Sequence, residues 1–250
     1  MHDAQPRELP QKRHGGSAAP RLRDGYAGGV SALIETAGVD LNAALTDAES
    51  AGVMPLFLAA QDNRLDVVKL LIAAGADVHK ARRFNGGTPL HVAAEDGHAG
   101  VVSVLLETPG VDPNAAMTDG EYAGGTPLYV AAQENRLDVV TLLIAAGSDV
   151  NKACDEDGCT PLYIAAALGH AGVVSVLLVA AGADVNMADV DGCTPLHAAA
   201  HQGQAAVVDL FIAAGANVHA PLTDGATALS TALARGHAEV AQKLRAAGAN

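Results

Sequence analysis

The strings GTPLHVAAEDGH (87–98), GTPLYVAAQENR (125–136), CTPLYIAAALGH (159–170) and CTPLHAAAHQGQ (193–204) are one pattern written four times, and MPLFLAAQDNR (54–64) and TALSTALARGH (227–237) are weaker copies. The position held by threonine in most copies falls at 54, 88, 126, 160, 194 and 227, in steps of 34, 38, 34, 34 and 33 residues. A chain that repeats itself at this period is not built round one central core. Each unit has to bury its apolar face against the next, which predicts an elongated stack.

Each unit reads as two short helices. Thr88 before Pro89 is a helix start: the hydroxyl can accept from an orphan N–H, and proline fits the first turn because its missing donor would go unpaired there anyway. An alanine-rich helix follows. It is expected to end at Gly97, Gly169, Gly203 and Gly236, with Asn63 and Asn135 in the same slot because asparagine tolerates the left-handed conformation next best. The second helix carries residues such as Val102, Leu105 and Leu106 on one face and stops at Gly75, Gly110, Gly147, Gly182 and Gly215, inside endings such as LLIAAGADVH (70–79) and LLVAAGADVN (177–186). Half of the chain is apolar, yet it contains no Trp, three Phe and four Tyr. That composition excludes an aromatic-filled globular core and suits thin elements packed closely through Ala, Val and Leu.

The motif TPLHxAA with the GADVN ending, recurring in register, resembles the ankyrin repeat, and the likeness covers residues 24 to 250. The resemblance implies an all-α solenoid of stacked helix-loop-helix units, β-hairpin fingers projecting from the inter-repeat loops, and a concave groove lined by the fingers and first helices. Its expected units are a partial one at 24–42, then 43–79, 80–114, 115–151, 152–186, 187–219 and a C-terminal cap at 220–250, with a poorly ordered tail at 1–23. A longer period lies on top. Residues 30–52 match 102–124, and 59–81 match 131–153, both at an offset of 72, so a two-repeat cassette is the building block. Its longer fingers, 43–53 and 115–125, are candidates for interaction. In the last unit Lys243 and Arg245 replace the apolar Leu210 and Ile212, the polar outer face that a terminal repeat needs. The first unit has SAAPRLR (17–23) where a TPLH helix belongs, and Pro20 breaks it.

The net charge is −13, and residues 1–24 hold five of the fifteen basic residues but three of the twenty-eight acidic ones, leaving −15 on the remainder. Such a body repels phosphate backbones, so nucleic-acid binding is not expected. The longest apolar stretch, about 171–183, is too short to cross a bilayer, and no N-terminal apolar segment precedes the repeats, so a cytoplasmic or nuclear monomer is expected. Cys154, Cys159 and Cys193 raise the question of a metal site. Because Cys159 and Cys193 share one slot in successive units, about 10 Å apart, neither a common zinc nor a disulfide between them is expected. The Asp-x-Asp-Gly strings at Asp155, Asp157, Asp189 and Asp191 lack the bidentate Glu of a calcium loop and read as turns. His91 and His197 share their slot with Phe57, Tyr129 and Tyr163, which points to packing rather than acid-base chemistry. No cofactor, metal or catalytic constellation is expected, and the chain is not expected to be an enzyme.

Recognition is left to the variable surface. In ankyrin repeats the two residues before each helix-ending Gly or Asn face the groove, which here implies Gln61-Asp62, Glu95-Asp96, Gln133-Glu134, Ala167-Leu168, His201-Gln202 and Ala234-Arg235. The groove would run from acidic through apolar to mildly basic. Phe84 and Tyr122 lie in fingers, with Arg82 and Arg83 beside the first, and aromatics and Arg are the types enriched at interface hot spots. The expected function is a scaffold whose protein partner presents a basic segment to the acidic half of the groove. The alternative is a spacer or piece of a longer array with no partner of its own.

Overall fold

The computed structural model describes residues 40–43, 53–82, 85–118, 123–154 and 157–249. Among them run twelve helices in six antiparallel pairs. The inner helices are α1 Pro55–Gln61, α3 Pro89–Asp96, α5 Pro127–Gln133, α7 Pro161–Leu168, α9 Pro195–Gln202 and α11 Ala228–Ala234. The outer helices are α2 Leu65–Ala73, α4 Ala99–Glu107, α6 Leu137–Ala145, α8 Ala171–Val179, α10 Ala205–Ala213 and α12 Ala238–Ala246. Inner helices stack on inner helices and outer on outer along the chain. The apolar core is a continuous seam from Val53 to Ala249.

The caps follow the local chemistry. Thr126, Thr160, Thr194 and Thr227 accept through their hydroxyls from the backbone N–H three residues on, at 3.1 to 3.4 Å. In α3 and α9 the histidine three residues into the helix closes the reciprocal half of the cap: His91 and His197 Nδ1 accept from the Thr88 and Thr194 N–H groups. Asn63 and Asn135 adopt φ of 55° and 56°, the left-handed turn that Gly97, Gly169 and Gly203 supply elsewhere. Within the helices the second alanine of each inner pair, such as Ala60, Ala94, Ala132, Ala166 and Ala200, is fully buried. With only a methyl group at these contacts, successive inner helices approach closely, and the bulk is provided by one large residue per outer helix: Leu71, Leu105, Leu143, Leu177, Phe211 and Leu244.

Two hydrogen-bond ladders join neighbouring repeats. In the GADVN loops the aspartate turns the chain, accepting from the N–H two residues on, as Asp149 does from Asn151 and Asp184 from Asn186. The asparagine then reaches into the next repeat. Asn42, Asn114, Asn151 and Asn186 accept through Oδ1 from the N–H of Asp77, Asp149, Asp184 and Asn217, at 2.7 to 2.9 Å.

The second ladder starts from the residue after the left-handed Gly or Asn. His98 Nε2 donates to the Gln61 carbonyl, Arg136 Nε to Glu95, His170 Nε2 to Gln133, Gln204 Nε2 to Ala167 and His237 Nε2 to His201, over 2.8 to 3.3 Å. This side chain lies across the preceding glycine. A Cβ at Gly203 would sit 2.6 Å from His237 Nδ1, whereas one at Gly236 meets nothing within 4 Å. Both have φ of 74° to 78°. Gly236→Ala is therefore expected to cost only the left-handed penalty, about 1–2 kcal/mol. Gly203→Ala adds a broken ladder bond and is expected to cost roughly 1 kcal/mol more. Denaturant midpoints of the two variants check the difference, and equal losses would remove the ladder as the reason for glycine at 203.

Among the described residues no strand forms, and the pairing is reduced to an isolated antiparallel bridge between Pro221 and Thr227. Each finger is closed at its neck by a backbone bond: Arg82 N–H to Gly87, Met117 to Gly125, Cys154 to Cys159, Asp189 to Cys193 and Leu222 to Ala226, all 2.7 to 3.0 Å. The glycine before each of these acceptors returns the bond, Gly86 N–H to Arg82, Gly124 to Met117, Gly158 to Cys154, Gly192 to Asp189 and Gly225 to Leu222, at 2.8 to 3.2 Å, so each neck is a tight bulged turn with a left-handed glycine. Adjacent fingers touch through single backbone bonds, Thr118 N–H to Asn85 and Val190 N–H to Asp157. At the C-terminus, Lys243 of α12 reaches back to Asp209 of α10 at 2.7 Å and lies 3.7 Å from Glu239 on its own helix.

Candidate protein-interaction groove

The inner helices end in register, which lays the candidate pairs in a row. Gln61 ends α1 and Asp62 caps it; Glu95 and Asp96 are the last two residues of α3; Gln133 ends α5 and Glu134 caps it. Gln61, Asp62, Glu95 and Asp96 are exposed, and Gln133 and Glu134 are half-buried. The row is held from beneath, because the second ladder bonds the carbonyls of Gln61, Glu95, Gln133, Ala167 and His201. The spacing of these backbones is thus set by polar side chains that the sequence reading passed over. Their signal lies in the recurrent dipeptides Asn-Arg and Gly-His, with Gly-Gln once in the same place at 203–204.

Carboxylates at these positions work against the fold. A helix C-terminus carries the negative end of the macrodipole, and an acidic side chain there costs about 0.3–1 kcal/mol. Here Asp62, Glu95, Asp96 and Glu134 occupy the C-terminal ends of three successive helices. Burial pushes the Asp96 carboxyl above its ordinary range, and the charges of Glu134 and Asp62 add to the shift, while His98 and Arg136 oppose it.

Below the row opens a cleft of about 150 Å³, lined by residues that include Phe57, Gln61, Arg82, Glu95, Asp96 and Met117. It brings four candidate residues together. Arg82 is half-buried, with its guanidinium 5.7 Å from the centre of the Phe57 ring, so it serves as a cation–π wall of this cleft. Arg83, Phe84 and Tyr122 lie outside the described residues, as does most of the finger at 43–53.

The far half of the groove differs from the expected gradient. Leu168 and Gln202 are half-buried, in line with an apolar middle. His201 is only 7% exposed. Burial, reinforced by Arg235 and His237, lowers its pKa, so it is neutral at pH 7 and the basic end rests on the exposed Arg235. His91 is 1% exposed and donates from Nε2 to the Gly125 carbonyl at 3.2 Å, tying α3 to the base of the next finger. Among the described residues no group of three or more His, Cys, Asp or Glu side chains is arranged to hold a metal ion, and no helix is long and apolar enough to cross a membrane.

A family model for ankyrin repeats matches the chain in three copies, at residues 22–117, 115–189 and 177–250. The chain is an ankyrin-repeat protein. Ankyrin repeats are generally protein-interaction modules. The crystal structure of the human ASB11 ankyrin repeat domain superposes with a TM-score of 0.69 at 28% identity, covering 78% of this chain and 84% of that one. Among curated proteins, mouse protein phosphatase 1 regulatory subunit 27 is 40% identical over 70 residues, 28% of this chain and 44% of its own length. Human ankyrin repeat and SOCS box protein 3 is 40% identical over 70 residues, 27% of this chain and 13% of its length. These two matches span less than half of each curated relative, and the first of those is a regulatory subunit by name.

Proposed function

We propose that this ankyrin-repeat chain is a non-catalytic scaffold that binds a partner protein along its groove, and that a basic segment of the partner lies on the acidic row at Asp62, Glu95, Asp96 and Glu134. One observation carries the reading: four carboxylates stand on the ends of three adjacent inner helices, where the helix dipole disfavours them. A row of carboxylates on one face favours a partner segment of the opposite charge. The cleft beside the row, with Phe57 and Arg82 on its walls, offers an apolar and polar lining to a side chain of the same segment. Leu168 and Gln202, half-buried beside the buried His201, supply a neutral continuation for the rest of the partner.

The test is affinity capture on the wild-type chain and on the triple variant Glu95→Lys, Asp96→Lys, Glu134→Lys, with the bound proteins quantified by mass spectrometry. Matched thermal melts establish that the variant is folded. Partners lost from the variant and carrying Lys/Arg-rich segments are the expected result. Equal recovery on both chains would overturn the groove assignment, and an absence of any reproducible partner would favour a spacer role in a longer array.

A further inference from the structure

We propose that Cys154 and Cys159 form a redox-active dithiol at the neck of the finger between α6 and α7, which small-molecule disulfides of the glutathione class oxidise to a disulfide within that finger.

Cys154 donates its N–H to the Cys159 carbonyl at 3.0 Å, so the two residues oppose each other across the neck. The Gly158 N–H in turn donates to the Cys154 carbonyl at 3.2 Å, so Cys154 faces Gly158 and Cys159 together in a bulged pairing that brings the two cysteine backbones close. The side chains converge as well: the Cys159 thiol hydrogen-bonds the Cys154 sulfur. Cys154 is buried and Cys159 half-buried, and both are reduced here.

Comparison between fingers shows what the scaffold itself requires. The second neck position holds Gly87, Gly125, Cys159, Cys193 and Ala226, so it asks only for a small residue. The first holds Arg82, Met117, Cys154, Asp189 and Leu222, with no common chemistry. Cysteine at both positions occurs in one of these five necks. The slot of Cys154 also faces backbone N–H donors. In the next finger it is filled by Asp189, whose Oδ1 accepts from the N–H groups of Asp191 and Cys193 at 3.0 and 2.8 Å. At Cys154 the equivalent N–H groups, of Asp157 and Cys159, point at the sulfur. With the Cys159 thiol as a third donor, they hold Cys154 below the ordinary thiol range, while the same contact and burial push Cys159 up. Cys154 is thereby the nucleophile and Cys159 the resolving thiol.

The chemistry closes without a cofactor. The Cys154 thiolate attacks one sulfur of the small disulfide, whose S–S bond breaks, and the departing thiolate takes up the proton that Cys154 released. The Cys159 sulfur then attacks the Cys154 sulfur and expels the second small thiol, which leaves with the proton of Cys159. Two protein thiols are oxidised to one disulfide, and one small disulfide is reduced to two thiols. Cys193 is an internal control. Its neck partner is Asp189, Tyr163 hydrogen-bonds it, and burial pushes its thiol up to about 12.

The full chain is equilibrated at pH 7 across a series of reduced-to-oxidised glutathione ratios, quenched in acid and mapped by peptide mass spectrometry. The expected product is a Cys154–Cys159 disulfide, seen as the loss of two hydrogens from the peptide spanning both, with Cys193 reduced throughout. Cys159→Ser should retain one glutathione on Cys154, and Cys154→Ser should leave Cys159 predominantly free. The proposal is overturned if wild-type Cys154 and Cys159 stay reduced over the whole series, if each carries glutathione independently, or if the linkage formed involves Cys193. The wild-type result decides the matter even where a serine variant folds poorly.

Discussion

Phe211→Ala is expected to destabilise the chain by about 3–5 kcal/mol, a large share of the roughly 5–15 kcal/mol that holds a typical domain folded. Phe211 is fully buried in α10, at the slot that Leu71, Leu105, Leu143, Leu177 and Leu244 fill in the other outer helices. Truncation removes the ring and leaves a void between α8 and α12, because flanking helices pinned by two ladders have little freedom to collapse into it. Phe211→Leu restores the residue type of the other repeats and is expected to cost roughly 1 kcal/mol. Urea denaturation gives both numbers. Hydrogen exchange adds a spatial check, since a linear stack passes the loss mainly to nearest neighbours. Protection in Phe211→Ala should fall across residues 195–249 and hold at 89–107. A uniform fall would mean that the array unfolds as one cooperative body.

Acid is expected to destabilise the array in a window set by His91. Burial lowers its pKa from 6.5 to about 4, against the opposing influence of the Gly125 and Ala115 carbonyls that its ring faces. Above pH 6.5 the imidazole is neutral in both folded and unfolded chains. Between pH 6.5 and about 4 the unfolded chain takes up a proton that the folded chain refuses, so stability falls as the pH falls through that interval. At 1.36 kcal/mol per unit the loss reaches about 3 kcal/mol. His197, lowered for the same reason, acts in the same direction. His91→Tyr uses the residue that the slot holds at Tyr129 and Tyr163 and should flatten the dependence, leaving the part due to His197. Denaturant midpoints at pH 7, 5.5 and 4.5 check this, and an unchanged slope in His91→Tyr would transfer the acid sensitivity to other groups.

The asparagines at 63 and 135 show why so much of this architecture is legible in the chain. Repetition lets one position be seen with several residues in it, and a slot that accepts only Gly or Asn states its backbone conformation outright. The Thr-Pro starts and the aliphatic faces of the outer helices are local signals of the same kind. What the sequence did not disclose are contacts between residues 31 to 41 positions apart, made by slots whose occupants vary. Arg136, His170 and Gln204 share a donor role but no side-chain type, so the role emerges only when the preceding carbonyl is seen in front of each. The backbone bond from Cys154 to Cys159 is hidden in the same way, since it runs across one finger whereas the repeat relates Cys159 to Cys193. His201 looked like a groove cation because its place in the row was readable and its burial against Arg235 and His237 was not.

The acidic row at Asp62, Glu95, Asp96 and Glu134 is the central claim, and the salt dependence of binding tests it most directly. For a partner recovered by capture, the dissociation constant is measured over a tenfold range of salt for the wild-type chain and for the triple variant Glu95→Lys, Asp96→Lys, Glu134→Lys. Exposed charge pairs are screened as ionic strength rises. The wild type should therefore weaken steeply with salt, and the variant should bind at least tenfold more weakly at low salt with a shallow or reversed slope. The same affinity and the same slope in both chains would contradict the account.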